Sequence, residues 1–290
     1  MTAPPLASGL VAPGRGRGLL DVYRNRYLLH LITRKEIAVR YRGSVLGILW
    51  SYIKPATQFA VFYVAMGMFL GLNRGVENYA VYLFSGIIVM NLFNEAFRNA
   101  AKSIVDNYNL IKKIYLPREL FPVSSLWVAL AHFFPQIVVL LAACLVIGWR
   151  PDAVQVLSVL LGAVIVAVFA LGVGLVFATA NVFFRDAENI VELLVMITTW
   201  ASPVLYVWTM VRDVVPAWVF NLYMMNPLTV ATELFHYGFW RPTLHAGTAW
   251  TLPEHFFTVW VPVGIAVSLA FLLAGDVLFR RHEGRFAQEL

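Results

Sequence analysis

VQVLSVLLGAVIVAVFALGVGLVFATANV, Val154 to Val182, contains no charged side chain and exceeds the roughly 20 residues a helix needs to cross a hydrocarbon core. Lipid offers no partner for a free backbone N–H or C=O, so such a run reads as a membrane-spanning helix. Comparable runs lie on either side of it, at Leu46 to Leu72, Tyr79 to Lys102, Leu120 to Ile147, Ile190 to Val211 and Phe256 to Phe279. Together they predict an all-α integral membrane protein with six transmembrane helices. The composition agrees, with 60% hydrophobic and 13% charged residues, the charged share being about half that of an average soluble domain.

Charge sets the orientation. If the six runs alternate, every lysine and arginine except Arg74, Arg150, Arg212 and Arg241 falls on one side. The positive-inside rule then predicts a multi-pass chain with both termini cytoplasmic. A net charge of +6 reflects that orientation and contact with membrane lipids, and nucleic acid is not an expected partner.

The organisation expected along the chain is a disordered cytoplasmic lead over 1–19, rich in Pro, Gly and Ala, then an interfacial helix over 20–44, the transmembrane domain over 46–279 and a cytoplasmic tail over 280–290. No cleavable signal peptide is read in the lead. On the interfacial helix Tyr23, Tyr27, Leu31 and Ala38 share one face, interrupted by Arg34, so a break into two pieces is allowed for. Cys144 is the only cysteine and lies within the third run, which excludes an intrachain disulfide. His236, His245 and His255 are expected in an interfacial or solvated setting, and no metal site is expected.

Two connecting segments do not look like plain linkers. NYNLIKKIYLPRELFP, Asn107 to Pro122, supports a short helix over 107–116, capped by Asp106 or Asn107, with Leu110/Ile114 and Ile111/Tyr115 at i,i+4. Its apolar side needs cover from another protein or from the membrane surface, with Lys112 and Lys113 on lipid phosphates in the second case. The segment from Arg212 to His255 is long and apolar, and Asn226 followed by Pro227 is a good N-cap and N1 pair. Half-helices over 216–240, either re-entrant or lying on the outer leaflet, are expected there.

Polar stripes inside the apolar runs carry the functional signal. Asn91, Asn94, Glu95, Arg98 and Lys102 form one in the second run, and Glu192, Thr198, Thr199, Ser202, Tyr206 and Thr209 form one in the fifth. Lipid does not tolerate such faces, so each should point to a bundle interior, a subunit interface or a hydrated path. The competing reading is an i,i+3 ion pair between Glu95 and Arg98, with the hydroxyls bonded to backbone near Pro203. In the first run Tyr52, Phe59, Tyr63 and Met66 share a face beside Gln58, Phe62 and Phe69, which suits either a sugar passage or core packing. Pro55, Pro135, Pro203 and Pro262 should kink their helices.

There is no G-x-x-x-x-G-K-[ST], so the chain itself binds no ATP through a P-loop. No D-x-D or Ser/His/Asp pattern supports an enzyme, and Asp186-Ala187-Glu188 reads as a capped helix start. Two rival functions stand beside transport driven by a partner. One is a proton-coupled secondary transporter using Glu95, Glu192 and Asp276, and the other is a membrane-bound glycosyltransferase.

LIKKIYLPRELFP at Leu110 to Pro122 resembles the cytoplasmic loop of the membrane-spanning subunits of ABC-2-type polysaccharide exporters, the O-antigen and teichoic-acid permeases. TRKEIAVRYRGSVLGILWSYIKP at Thr33 to Pro55, FFRDAENIVELLV at Phe183 to Val195 and NPLT at Asn226 to Thr229 are similar to other stretches of that family, and within it the chain looks most like actinobacterial permeases for lipid-linked galactan. The resemblance implies a homodimer in the bacterial cytoplasmic membrane with two copies of a cytoplasmic ATPase, so ATP and Mg are bound by the partner and no cofactor by this chain. It implies a coupling helix carrying Leu110, Ile111, Lys112, Lys113, Ile114 and Tyr115, and outer gate half-helices within 216–240. A polymer on a polyprenyl diphosphate would pass Tyr52, Phe59, Phe62, Tyr63, Asn91, Glu95, Arg98, Lys102, Thr198, Ser202 and Tyr206, with Arg98 and Lys102 attracting the diphosphate.

Overall fold

The computed structural model describes residues 18–113, 116–245 and 250–289, all of whose regular elements are helical. Residues 1–17 of the expected lead, and Ile114 and Tyr115 of the expected coupling helix, lie outside the described residues.

The amphipathic segment is broken, as its imperfect periodicity allowed. α1 (Leu19–Arg24) ends at Asn25, whose backbone N–H bonds to the Asp21 and Val22 carbonyls, and α2 (Arg26–Arg40) follows directly. Val22 and Ile32 bury against the bundle, whereas Tyr23, Tyr27 and Leu31 are exposed. The face picked out by periodicity therefore points away from this chain's own core. A 3₁₀ turn (Gly47–Leu49) leads into α3 (Trp50–Phe62), which carries Pro55 internally and runs on as a π-helical segment, Tyr63–Phe69, before the single turn of α4 (Leu72–Gly75).

α5 (Tyr79–Asp106) is the central helix, buried along most of its length. It packs on α7 (Leu120–Ile147) and α8 (Ala153–Phe183), and α13 (Val261–His282) packs on the far side of α8. The α8–α13 crossing depends on glycine. A Cβ at Gly172 would fall 2.5 Å from the Leu272 nitrogen and 2.6 Å from the Phe271 carbonyl carbon. Backbone atoms cannot move aside, so only glycine permits that approach. α8 begins with a reciprocal capping box, Gln155 N–H to Asp152 Oδ1 at 2.7 Å and Asp152 N–H to Gln155 Oε1 at 2.8 Å.

Between α5 and α7 the short α6 (Tyr108–Lys113) forms at the end of the bundle that also holds α1 and the C-terminal end of α13. Asn107 does not cap it through its side chain, which bonds back to the Ser103 carbonyl at 2.9 Å and accepts from Lys35 at 2.7 Å. Ile111 is 8% exposed and belongs to a core with Val22, Ile32, Ile104, Leu120, Phe279 and Phe286. The expectation that another protein or lipid must cover this helix's apolar side is thus wrong for Ile111. The chain folds α1, α2 and its last described turn, α14 (Phe286–Glu289), over it.

The fifth apolar run is interrupted. α9 (Ala187–Trp200) stops before Ser202 and Pro203, and α10 (Trp208–Arg212) resumes it. Several of the freed carbonyls find side-chain donors. Tyr82 Oη donates to Pro203 at 3.1 Å and Tyr206 at 2.8 Å, Tyr79 Oη to Leu205 at 2.9 Å, and Asn226 Nδ2 to Ala201 at 3.3 Å. Irregular backbone at membrane depth survives only when satisfied in this way. At the start of α9 Asp186 makes no side-chain cap bond, so the capped start read there is not formed.

α11 (Ala217–Met225) is mostly exposed, while every residue of α12 (Pro227–Phe235) is buried. Asn226 Oδ1 accepts from Leu228 N–H at 3.0 Å with Pro227 at the first turn, as the sequence indicated. α12 continues as a π-helical segment, His236–Trp240, wedged among α5, α7 and α8. A hairpin lying on a surface is excluded for α12. Pro262 stands in the first turn of α13, directly after the π-helical Phe256–Trp260 of the same helical stretch.

Among the described residues four helical stretches are long and apolar enough to cross a membrane, Tyr79–Asp106, Leu120–Ile147, Ala153–Phe183 and Phe256–Glu289. The protein is an all-α membrane protein. The first and fifth predicted spans are the segmented ones, α3 with its π-helical extension and α9 with α10.

Candidate substrate cavity

A cavity of about 1090 Å³ opens between the α2–α3 connection, α5, α7 and α9. Its polar wall is one connected network. The Glu95 carboxylate pairs with Arg40 and lies 2.6 Å from His132 Nδ1. His132 Nε2 is 2.8 Å from Tyr41 Oη, which in turn is 2.8 Å from Ser51 Oγ. A neutral His132 protonated at Nδ1 donates to Glu95 and accepts from Tyr41, so one tautomer satisfies both contacts. Below it, Gln136 Nε2 donates to the His132 carbonyl at 3.0 Å and Asn91 Nδ2 donates to Gln136 Oε1 at 3.1 Å.

Three of the channel residues read from the sequence line this space, namely Asn91, Glu95 and Arg98. Glu95 and Arg98 do not pair with each other along α5. Arg98 forks onto Glu192 of α9, at 2.8 Å for Nη2, and Lys102 pairs with Glu188 one turn further on, outside the lining. Phe59, Phe62 and Tyr63 pack against the core, Phe59 stacking on Tyr63 at 5.6 Å and meeting Phe84 edge-on at 5.4 Å. Tyr52 is exposed and does not line the cavity. From the fifth-run stripe it is Thr199 that reaches the wall. Thr198 Oγ1 donates to the Leu194 carbonyl at 2.8 Å, fully buried Ser202 donates to Thr198 at 3.0 Å, and Tyr206 Oη donates to Trp200 at 2.6 Å.

The sequence reading missed Arg40 and Tyr41 at the end of α2, Ser51 on α3, the His132 and Gln136 pair on α7, and the indoles of Trp50 and Trp200. His132 and Gln136 stand at i,i+4 inside an otherwise apolar run, a visible signal. His236 was misplaced as well. It is fully buried and stacks on Tyr82 at 3.8 Å, with Nε2 3.2 Å from the Tyr82 carbonyl oxygen and Nδ1 3.4 Å from Glu233. Among the described residues no group of His, Cys, Asp and Glu is arranged to hold a metal.

α2 is fixed beside the cavity by a second buried contact. Ser124 Oγ lies 3.1 Å from Glu36, whose pKa burial raises, opposed in part by that hydroxyl and by Lys35 and Arg40.

The ABC-2 type transporter family matches residues 27–240. The chain belongs to that family. It is 31% identical over 263 residues to an O-antigen export system permease protein RfbA of Klebsiella pneumoniae, covering 91% of this chain and 95% of the relative. It is 29% identical over 196 residues to an RfbA of Myxococcus xanthus, covering 67% and 73%. Against the capsule polysaccharide export inner-membrane protein CtrC of Neisseria meningitidis serogroup A it is 24% identical over 207 residues, covering 71% and 76%. In this ABC-2 family chain the matched region holds α2, the cavity and α12 together.

Proposed function

We propose that this ABC-2 permease exports a polysaccharide carried on a polyprenyl diphosphate across the bacterial cytoplasmic membrane, as a homodimer of six-span chains driven by two cytoplasmic ATPase subunits. The observation that carries the reading is the cavity wall. Amides, hydroxyls and the indoles of Trp50 and Trp200 suit sugar hydroxyls and C–H faces. Glu95 and Arg98 are each neutralised by a partner on another element, so the surface offered to substrate is polar with little net charge. Lys54 lines the cavity without a partner among the described residues, and it replaces Arg98 and Lys102 as the group for an anionic diphosphate. A proton relay through Glu95, Glu192 and Asp276 is less well supported, since each carboxylate is held by an arginine, Arg40, Arg98 and Arg280.

In this reading α6 is the coupling helix and touches the ATPase through its exposed Tyr108, Asn109, Lys112 and Lys113, with Ile111 serving the permease's own core. α11 and α12 form the outer gate, and both termini face the cytoplasm. The test is a strain lacking this chain, complemented with wild type or with Thr199→Trp, whose indole would project into the cavity. Lipid-linked glycan should accumulate on the inner leaflet in the deletion strain and in the Thr199→Trp strain, with the ATPase still co-purifying. Normal surface glycan in the deletion strain would overturn the proposal.

A further inference from the structure

A second, smaller cavity of about 320 Å³ lies at the bundle end opposite α6 and α14, between α10, α11 and the turn into α13. Its walls carry the rings of Trp208, Phe220 and Trp260 together with the polar groups of Asn221, Glu254 and His255. Trp208 and Phe220 meet at 6.1 Å, and the Trp260 indole is fixed by a 3.0 Å bond to the Glu254 carbonyl. These rings are therefore held in place before any ligand arrives.

The polar groups are uncommitted. Among the described residues the side chains of Asn221, Glu254 and His255 make no hydrogen bond, and the indole N–H of Trp208, a residue only 3% exposed, has no partner. The amide, carboxylate and imidazole are left to bond a ligand. Charge narrows the ligand class. The one guanidinium in the lining, Arg212, already donates twice to Asp213 at 3.1 Å and lies 5.1 Å over the Trp208 ring. With that cation neutralised and the Glu254 carboxylate present, a phosphate is repelled, while a neutral molecule rich in hydroxyls can donate to the carboxylate and accept from the amide. Aromatic walls supply the complement for a pyranose C–H face.

We propose that this cavity is a sugar-binding subsite on the exit side, which holds one or two residues of the exported glycan as they emerge. The volume is at the small end of ligand cavities, which suits a short stretch of a longer chain. The inference rests on the export reading for the choice of ligand. It adds a contact outside the main cavity that biases the chain outward after each stroke.

The test uses the permease–ATPase complex in lipid nanodiscs and, as probe, radiolabelled oligosaccharides released by mild acid from the host's envelope glycan. Saturable retention is expected, weakened roughly three- to tenfold by Asn221→Ala and by Glu254→Gln, the loss of one hydrogen bond in each case. Both side chains are exposed, so the variants fold, and unchanged ATPase co-purification verifies it. Retention identical in wild type and both variants would overturn the subsite. So would glycerol phosphate displacing the probe, which marks a lipid-headgroup seat. No retention by wild type, in a complex that still exports glycan in cells, would sink the subsite and leave the export reading standing.

Discussion

Removing the Glu95 carboxylate separates two roles the cavity network can play, anchoring a buried imidazole and pairing a surface guanidinium. Glu95 contacts His132 and Arg40, whose side chains are 8% and 37% exposed. In Glu95→Ala the His132 Nδ1–H loses its acceptor in a buried place, which costs about 1–3 kcal/mol. The Arg40 guanidinium is wet enough to be resolvated, and its share is that of a surface ion pair, about 1 kcal/mol or less. The single substitution should therefore destabilise the purified permease by roughly 2–3 kcal/mol, and Glu95→Gln, which keeps an acceptor oxygen, by about half of that. Double-mutant cycles by thermal unfolding in detergent, pairing Glu95→Ala with His132→Ala and then with Arg40→Ala, apportion the loss. Coupling to His132 should exceed coupling to Arg40 by about 1 kcal/mol. Equal couplings, or a larger one to Arg40, would refute the assignment of the imidazole as the anchored group.

Three further outcomes follow from the packing. Gly172→Ala should destabilise the α8–α13 crossing by at least about 1–3 kcal/mol in thermal unfolding, whereas Gly75→Ala, where a Cβ meets nothing within 4 Å, should lose no stability to steric overlap. Glu119, at the start of α7, is pushed from 4.5 up to about 7 by burial and then by Glu283, Asp21 and Asp276. A carboxyl whose folded pKa is raised favours folding least when ionised, so its cost grows between pH 4.5 and about 7 and is constant above. Glu119→Gln should accordingly gain up to roughly 3 kcal/mol at pH 8 and little at pH 4.5, read as a melting-temperature difference that widens with pH. Ile111→Asp should lower the melting temperature of the permease alone, while Tyr108→Asp, at an exposed position, should spare it and reduce ATPase co-purification. An unchanged melting temperature for Ile111→Asp would contradict its burial against the terminal helices.

The long runs and the Asn226–Pro227 helix start were legible because each depends on local chemistry, namely uninterrupted apolar length and a cap within two residues. The unwinding after Trp200 was legible only as a kink at Pro203. What opens it into an extended segment is a pair of phenols, Tyr79 and Tyr82, that arrive from a helix more than a hundred residues away and satisfy Leu205, Pro203 and Tyr206. The cavity was half legible for the same reason. A polar stripe on α5 announced a hydrated or paired face, but not which partners would meet it, and the aromatic stripe of α3 cannot be told from a sugar track without knowing that Phe84 and Tyr79 stand opposite Phe59 and Tyr63.

The partners that do meet the α5 stripe share one property. Glu95 goes to Arg40 and His132, Arg98 to Glu192, Lys102 to Glu188, Asn91 to Gln136 and Asn94 to Thr199, each on a different element from α5. An i,i+3 pair on α5 itself would have neutralised charge and left α2, α7 and α9 unconnected. Pairing across elements instead makes α5 the hub through which the amphipathic helix and the cavity-facing α9 are held together. Arg40 ends α2, and Lys35 of α2 bonds Asn107 at the start of α6. A displacement of α6 or α2 would thus pass to the cavity wall through two side-chain contacts, Lys35 to Asn107 and Arg40 to Glu95, the short mechanical route that the proposed ATPase-driven movement calls for.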